Sequence, residues 1–217
     1  MARVDAGRKC NLTWHSPGRH SLVPPGPLGS SLGGFDLDTR TDPSLGYKSL
    51  SVFELLAWES TSVRLSELLN PKAVTMRLEA RTKREALVEV VELLESAHGF
   101  DSHGEILDRV MRREAMMTTG IGNGVAIPHG KARSVDRMAA ACAVIPQGLD
   151  FESEDGQPVY LIVLFVSPEN ATTLHVRALA NLSRLLKEES VRMNLREAAS
   201  PEAFLAALHS AESAYIP

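Results

Sequence analysis

Cysteine is nearly absent from this 217-residue chain. The two that occur, Cys10 and Cys142, lie far apart and form no CxxC or Cys/His cluster, so neither a disulfide framework nor a structural zinc site is written here. A reducing cytoplasm is the expected location. Long apolar runs are lacking too: the longest, Val159 to Val166, falls far short of the ~20 residues of a membrane-spanning helix, and no direct membrane insertion is expected. Gly, Pro, His and Arg interrupt every apolar stretch in the opening segment, which argues against a secretory signal. Nor is there an excess of positive charge. Lys and Arg total 23 against 27 Asp and Glu, a net charge of -4, which disfavours general affinity for nucleic acid or anionic lipid. What remains is a chain 44% hydrophobic, enough to bury a real core.

That apolar content is unevenly placed. Residues 1 to 46 hold seven Gly and five Pro, including Pro24-Pro25-Gly26-Pro27, and such a stretch cannot bury enough surface to offset backbone ordering. Residues 1–60 are therefore expected to be a disordered or weakly ordered extension, with Leu50 to Trp58 a short apolar segment able to dock as helix or strand. Residues 61–217 are the expected domain. Thr82-Lys-Arg-Glu85 is a capping box, after which Leu87, Val90, Val91 and Leu94 recur at helical spacing up to a stop at Gly99. Ser102-His-Gly-Glu105 repeats the box before a second helix that ends near Arg113-Glu114. Strands are expected at Val74 to Leu78, Ala139 to Ile145 and Val159 to Val166, the last apolar on both faces and so central. Leu174, Ala178, Leu182 and Leu185 mark another helix, Val191 to Ala198 a further one, and Ser200-Pro201 starts the last, with Ser as N-cap and Pro at N1. Interleaved helices and strands predict an α/β three-layer sandwich, a mixed β-sheet flanked by helices on both faces.

The chemistry concentrates in Thr118-Thr-Gly-Ile-Gly-Asn-Gly-Val-Ala-Ile-Pro-His129-Gly130-Lys131. Three glycines free the backbone for turns, Val125 to Ile127 form a short β-type run, and Pro128 biases Ile127 towards an extended conformation. His129 is thereby delivered to the exit of that run, where Gly130 lets the chain turn away. An exposed imidazole with a pKa near neutrality is a good nucleophile towards phosphorus. On spacing alone a turn or capping role for His129 stands beside the nucleophilic one. The glycines fit neither GxGxxG nor the Walker pattern, so no nucleotide loop is indicated. Two imidazoles without a nearby Cys or carboxylate of suitable spacing do not make a metal site. His98, His103 and His209 read as caps or surface residues.

Arg113-Glu114, followed by Thr119-Gly-Ile-Gly-Asn-Gly-Val-Ala-Ile-Pro-His-Gly130, resembles the signature of the fructose/mannitol-type enzyme IIA domains of the bacterial phosphotransferase system, with Glu114 in the place of an acidic residue of that signature. The wording through Lys131 is closest to the nitrogen-regulatory branch, and the resemblance spans about Val63 to Glu212. It implies a phosphotransferase in which His129 accepts a phosphoryl group, as tele-phosphohistidine, from an HPr-type phosphocarrier protein. The group is then passed to a IIB domain of a sugar permease, or its presence is reported to a regulated protein such as a kinase or transporter. His175, in a His-x-x-x-Leu-Ala pattern, is implied to stabilise the phosphate; a helix-start residue satisfied by solvent or backbone is its alternative. Arg113 is implied to neutralise phosphate charge, against the reading of an exposed helix-end arginine. Thr118 and Thr119 either donate hydroxyls to the phosphate or shape the turn. No cofactor is implied. The rival from another class is a non-catalytic module whose Gly-rich loop binds an anion in a backbone nest.

Overall fold

The computed structural model describes residues 63–216; the readings of residues 1–60, Leu50 to Trp58 among them, lie outside that range. In chain order the elements are α1 (Leu65–Leu68), a 3-10 turn (Pro71–Ala73), β1 (Val74–Thr75), α2 (Lys83–His98), α3 (Glu105–Met116), β2 (Gly120–Gly122), β3 (Val125–Ala126), β4 (His129–Ala132), β5 (Ala139–Leu149), β6 (Val159–Pro168), α4 (Thr172–Lys187), α5 (Glu189–Arg196) and α6 (Pro201–Tyr215). Local chemistry sets several boundaries. Thr82 accepts the Glu85 N–H at 3.2 Å and Glu85 accepts the Arg81 N–H at 2.9 Å; at the other end of α2, Gly99 takes φ 70°, a left-handed cap that returns its N–H to Glu95. Ser200 caps α6 with Pro201 behind it.

The second expected capping box does not form. Gly104 is the N-cap of α3 and makes no side-chain cap; Ser102 Oγ accepts the Ile106 N–H at 3.4 Å, while its hydroxyl donates to Glu95. Glu105 instead accepts the backbone N–H groups of Arg133 and Ser134 at 3.1 and 2.9 Å, and those amides hold its carboxyl down to about 2. α3 also runs two residues past the expected end at Arg113-Glu114, to Met116. β1 stops at Thr75, although Leu78 still donates to Val144 at 2.8 Å.

The sheet is mixed, in the order β1-β5-β6-β3-β2, with β4 also on β6. β5 is antiparallel to β6, while β3 and β4 both run parallel to it along the edge opposite β5. Val125 pairs with Leu161 and Ala132 with Pro168, so partner numbers differ by 36 at both ends of this stretch. β3 and β4 are thus one strand in constant register, interrupted at Pro128, which has no N–H to give the ladder. β6 is buried from Leu161 to Ser167 and β5 from Ala139 to Ile145, which requires cover on both faces: the sheet is flanked by helices on each side, a three-layer α/β sandwich. β2 and β3 form a hairpin on Asn123-Gly124, both at positive φ (55° and 75°), the backbone of a type I′ turn.

Gly130 does not turn the chain away, as the sequence suggested; it lies within β4. A Cβ there would stand 3.3 Å from the Val110 backbone N and 3.4 Å from Arg109 Cβ. The glycine is needed for the close approach of α3 to the sheet.

Candidate functional site

His129 opens β4 opposite Phe165, at the sheet edge between two helix layers. α3 supplies one neighbour and α4 the other. The His129 Nδ1–H donates to the Ile127 carbonyl at 2.8 Å, and Arg113 Nε donates to His129 Nε2 at 3.0 Å. This network assigns the proton to Nδ1 and leaves the lone pair on Nε2. Arg113 is itself held by an Nη1 bond to the Met117 carbonyl at 2.8 Å, so its guanidinium is fixed against the helix end rather than free in solvent.

His175 lies in the first turn of α4, with its ring centroid 5.6 Å from that of His129 and 4.9 Å from that of Phe165. It is only 5% exposed and its Nδ1 lies 2.7 Å from Ser167 Oγ. The solvent-satisfied alternative for this residue is therefore not what the structure contains. Around the two imidazoles an open depression of about 350 Å³ is lined by Arg109, Arg112, Arg113, Lys131 and Met116, room enough for a phosphoryl group on a donor side chain. Arg109 is paired with Glu169, Arg112 with Asp108, and Lys131 donates to Thr172 Oγ1.

The imidazoles are less basic than an exposed histidine. Burial lowers the pKa of His129 and the positive charge of Arg113 lowers it further, outweighing the upward pull of the Ile127 bond and of Glu114. The expected exposed ring near neutrality is thus corrected: His129 is partly buried and holds its neutral form to lower pH. His175 is pushed down to about 4, first by burial and then by repulsion from His129 and Lys131.

The structure brings His129, Arg113 and His175 together, but not the two threonines. Thr118 Oγ1 donates to the Phe151 carbonyl at 3.4 Å, accepts the Gly120 N–H at 3.2 Å, and lines a different depression. Thr119 is buried and its hydroxyl donates to Glu114. Both hydroxyls are committed to shaping the turn, so the phosphate-donor reading of Thr118 and Thr119 is corrected. Sequence reasoning missed Ser167 and Lys131. Ser167 had a signal: it follows Phe165 by two residues on an apolar strand, hence on the same face, and a polar residue there needs a partner. Among the described residues no group of three His, Cys, Asp or Glu side chains could hold a metal ion. No helix among them is long and apolar enough to cross a membrane.

Residues 67–211 match the family model described as phosphoenolpyruvate-dependent sugar phosphotransferase system, EIIA 2, and the chain belongs to that family. A nitrogen regulatory protein of Bradyrhizobium diazoefficiens is 33% identical over 144 residues, 66% of this chain and 94% of that protein. A fructose-specific EIIABC component of Bacillus subtilis is 35% identical over 143 residues, 66% of this chain but 22% of that protein; the matched region spans about a fifth of its length. Among solved structures, the nitrogen regulatory protein IIA-Ntr of Neisseria meningitidis aligns with TM-score 0.61 and 30% identity, over 66% of this chain and 97% of that one.

Proposed function

We propose that the domain accepts a phosphoryl group on Nε2 of His129 from the phosphohistidine of an HPr-type carrier. The observation that carries this reading is the pair of hydrogen bonds on the ring: Nδ1–H is held by Ile127 and Nε2 is aimed, unprotonated, beside Arg113. As the Nε2–P bond forms, the donor's N–P bond breaks and its electron pair stays on the donor imidazole. The Nδ1 proton does not move. Arg113 leaves Nε2 for a phosphoryl oxygen, its Nη2 being used by neither bond described above, and a planar guanidinium suits that anion. When the Ser167 hydroxyl turns from the Pro168 carbonyl, 3.4 Å away, to His175 Nδ1 at 2.7 Å, neutral His175 carries its one proton on Nε2 and offers it to the phosphoryl group. Positioning and charge neutralisation supply most of the catalysis.

The phosphorylated domain then reports its state to a regulated protein such as a kinase or transporter. Support for this regulatory reading comes from the wording of Thr119 to Lys131 and from the nitrogen-regulatory relatives matched over nearly their whole length. The Bacillus relative, whose name joins A to B and C components, supports transfer to a separate IIB domain as the second reading. Incubation with phosphoenolpyruvate, enzyme I and a phosphocarrier should label the protein with acid-labile, alkali-stable phosphate. His129→Gln should fold and stay unlabelled. Acid-stable label, or label that persists in His129→Gln, would leave the anion-binding module as the better account.

A further inference from the structure

Glu114 belongs to the motif, yet the chemistry above makes no use of it. It is 8% exposed, and a buried carboxylate persists only with partners that replace its water. Lys83, from the first position of α2, puts Nζ 2.7 Å from Glu114 Oε1. The Thr119 N–H lies 3.1 and 3.0 Å from the two carboxylate oxygens, and the Thr119 hydroxyl donates to Oε2. The bonds continue beyond Thr119. Its carbonyl accepts the Ile127 N–H at 2.9 Å, and the Ile127 carbonyl accepts the Nδ1–H of His129 at 2.8 Å.

An unbroken hydrogen-bonded chain thus runs Lys83, Glu114, Thr119, Ile127, His129. Its anchor residue adjoins Arg113, which donates to the opposite ring nitrogen, so one helix end governs both sides of the imidazole. Lys83 is itself locked: a second carboxylate, Glu152, sits 2.9 Å from Nζ, and Nζ lies 5.0 Å from the Phe151 ring centroid. Burial alone would make this lysine easier to deprotonate, but the bonds and charges of Glu114 and Glu152 outweigh it and raise its pKa. Lys83 therefore stays an ammonium at neutral pH.

We propose that Glu114, anchored by Lys83, is a positioning residue for His129, fixing through Thr119 and Ile127 the tautomer and the aim of the ring. The proposal rests on His129 as phosphoryl acceptor, and its test separates the two. The charged and titratable groups about His129 are Arg109, Arg112 and Arg113 from α3, Lys131 from β4, His175 from α4, and Glu114 itself.

The full-length protein, Glu114→Gln and Thr119→Val are to be compared by NMR of the His129 ring nitrogens across pH, and by the rate of phosphoryl acceptance from the phosphorylated carrier. In the parent, His129 holds the Nδ1–H form. Glu114→Gln removes both the anchor and a charge that favours the imidazolium, so the His129 midpoint falls further and the two tautomers mix. Acceptance slows about 10²-fold, the scale of an ångström-level misplacement, with the dependence on carrier concentration unchanged. Thr119→Val, nearly isosteric, moves the same readouts less. Two folded variants with the parent tautomer and midpoint would overturn the proposal. So would the failure of both to fold, which would assign the cluster to stability alone. An unlabelled parent protein would remove the phosphoryl reading, while the ring NMR would still decide the positioning one.

Discussion

At the scale of single residues, the site is built from histidines kept neutral by burial and by nearby cations. His175 gives the clearest consequence. Its folded pKa of about 4 lies below the ordinary 6.5, so between those values the unfolded chain binds more protons than the folded one. Stability on this account is complete above pH 6.5, falls as the pH drops towards 4, and levels off below. The full loss approaches about 3 kcal/mol, since each pH unit between the two values is worth roughly 1.36 kcal/mol. His129, lowered in the same direction, adds to the acid side of the window. Urea titrations of the parent and of His175→Gln across pH 7 to 4 check this: the variant should show a shallower decline. His175→Ala should also slow phosphoryl acceptance by about 10²–10³, the cost of one preorganised donor in a transition state, in a protein that still folds at pH 8 with a melting temperature lowered by the lost packing of the buried ring. If acceptance proceeds at the parent rate in a folded His175→Ala, the residue belongs to packing against Phe165 and Ser167.

At the scale of elements, what could be read in the sequence divides by range. The Thr82 cap, the Gly99 stop and the Ser200-Pro201 start involve partners within four residues, and the chain forms them as written. Glu105 carries the same local signal as Glu85, but its carboxylate serves backbone amides near residue 133, a competition that no local pattern contains. His129, Arg113 and His175 were legible through a motif, whereas the Glu114–Thr119 bond that takes the threonine out of the phosphate's reach was not. Gly130 is a related case. Its role comes from α3 lying over β4, and Gly130→Ala would press a Cβ to 3.3 Å from the Val110 backbone N and Cγ2. Overpacking of this kind costs about 1–3 kcal/mol. Because the displaced helix carries Arg113, the variant should lose phosphoryl acceptance by more than its drop in melting temperature explains. Thermal denaturation and labelling of one preparation measure both.

At the scale of the molecule, the first described residues are tied to the last helices. Asn181 donates to the Val63 carbonyl at 3.2 Å, and buried Glu212 accepts from the Leu65 N–H, the Ser66 N–H and the Ser66 hydroxyl, tying α6 to α1. We propose that residues 61–217 form the domain. A 61–217 protein should melt where the full chain does and accept phosphate at the same rate. A 70–217 protein strands the Glu212 carboxylate and should lose about 1–3 kcal/mol, the cost of an unsatisfied buried group; calorimetry on the pair distinguishes them. A lower melting point for 61–217 would give the extension a place in the domain.

The pairing of β6 with β3, β4 and β5 also orders events in time. As the chain leaves a ribosome, the glycine hairpin and His129 emerge well before Val159, and until β6 arrives β4 has no strand to pair with. Ser167 and His175 come later still. A chain ending near residue 158 therefore carries the histidine in its signature without the sheet edge that aims it. Competence to take phosphate thus cannot precede β6 and the first turn of α4, however early the motif itself is synthesised.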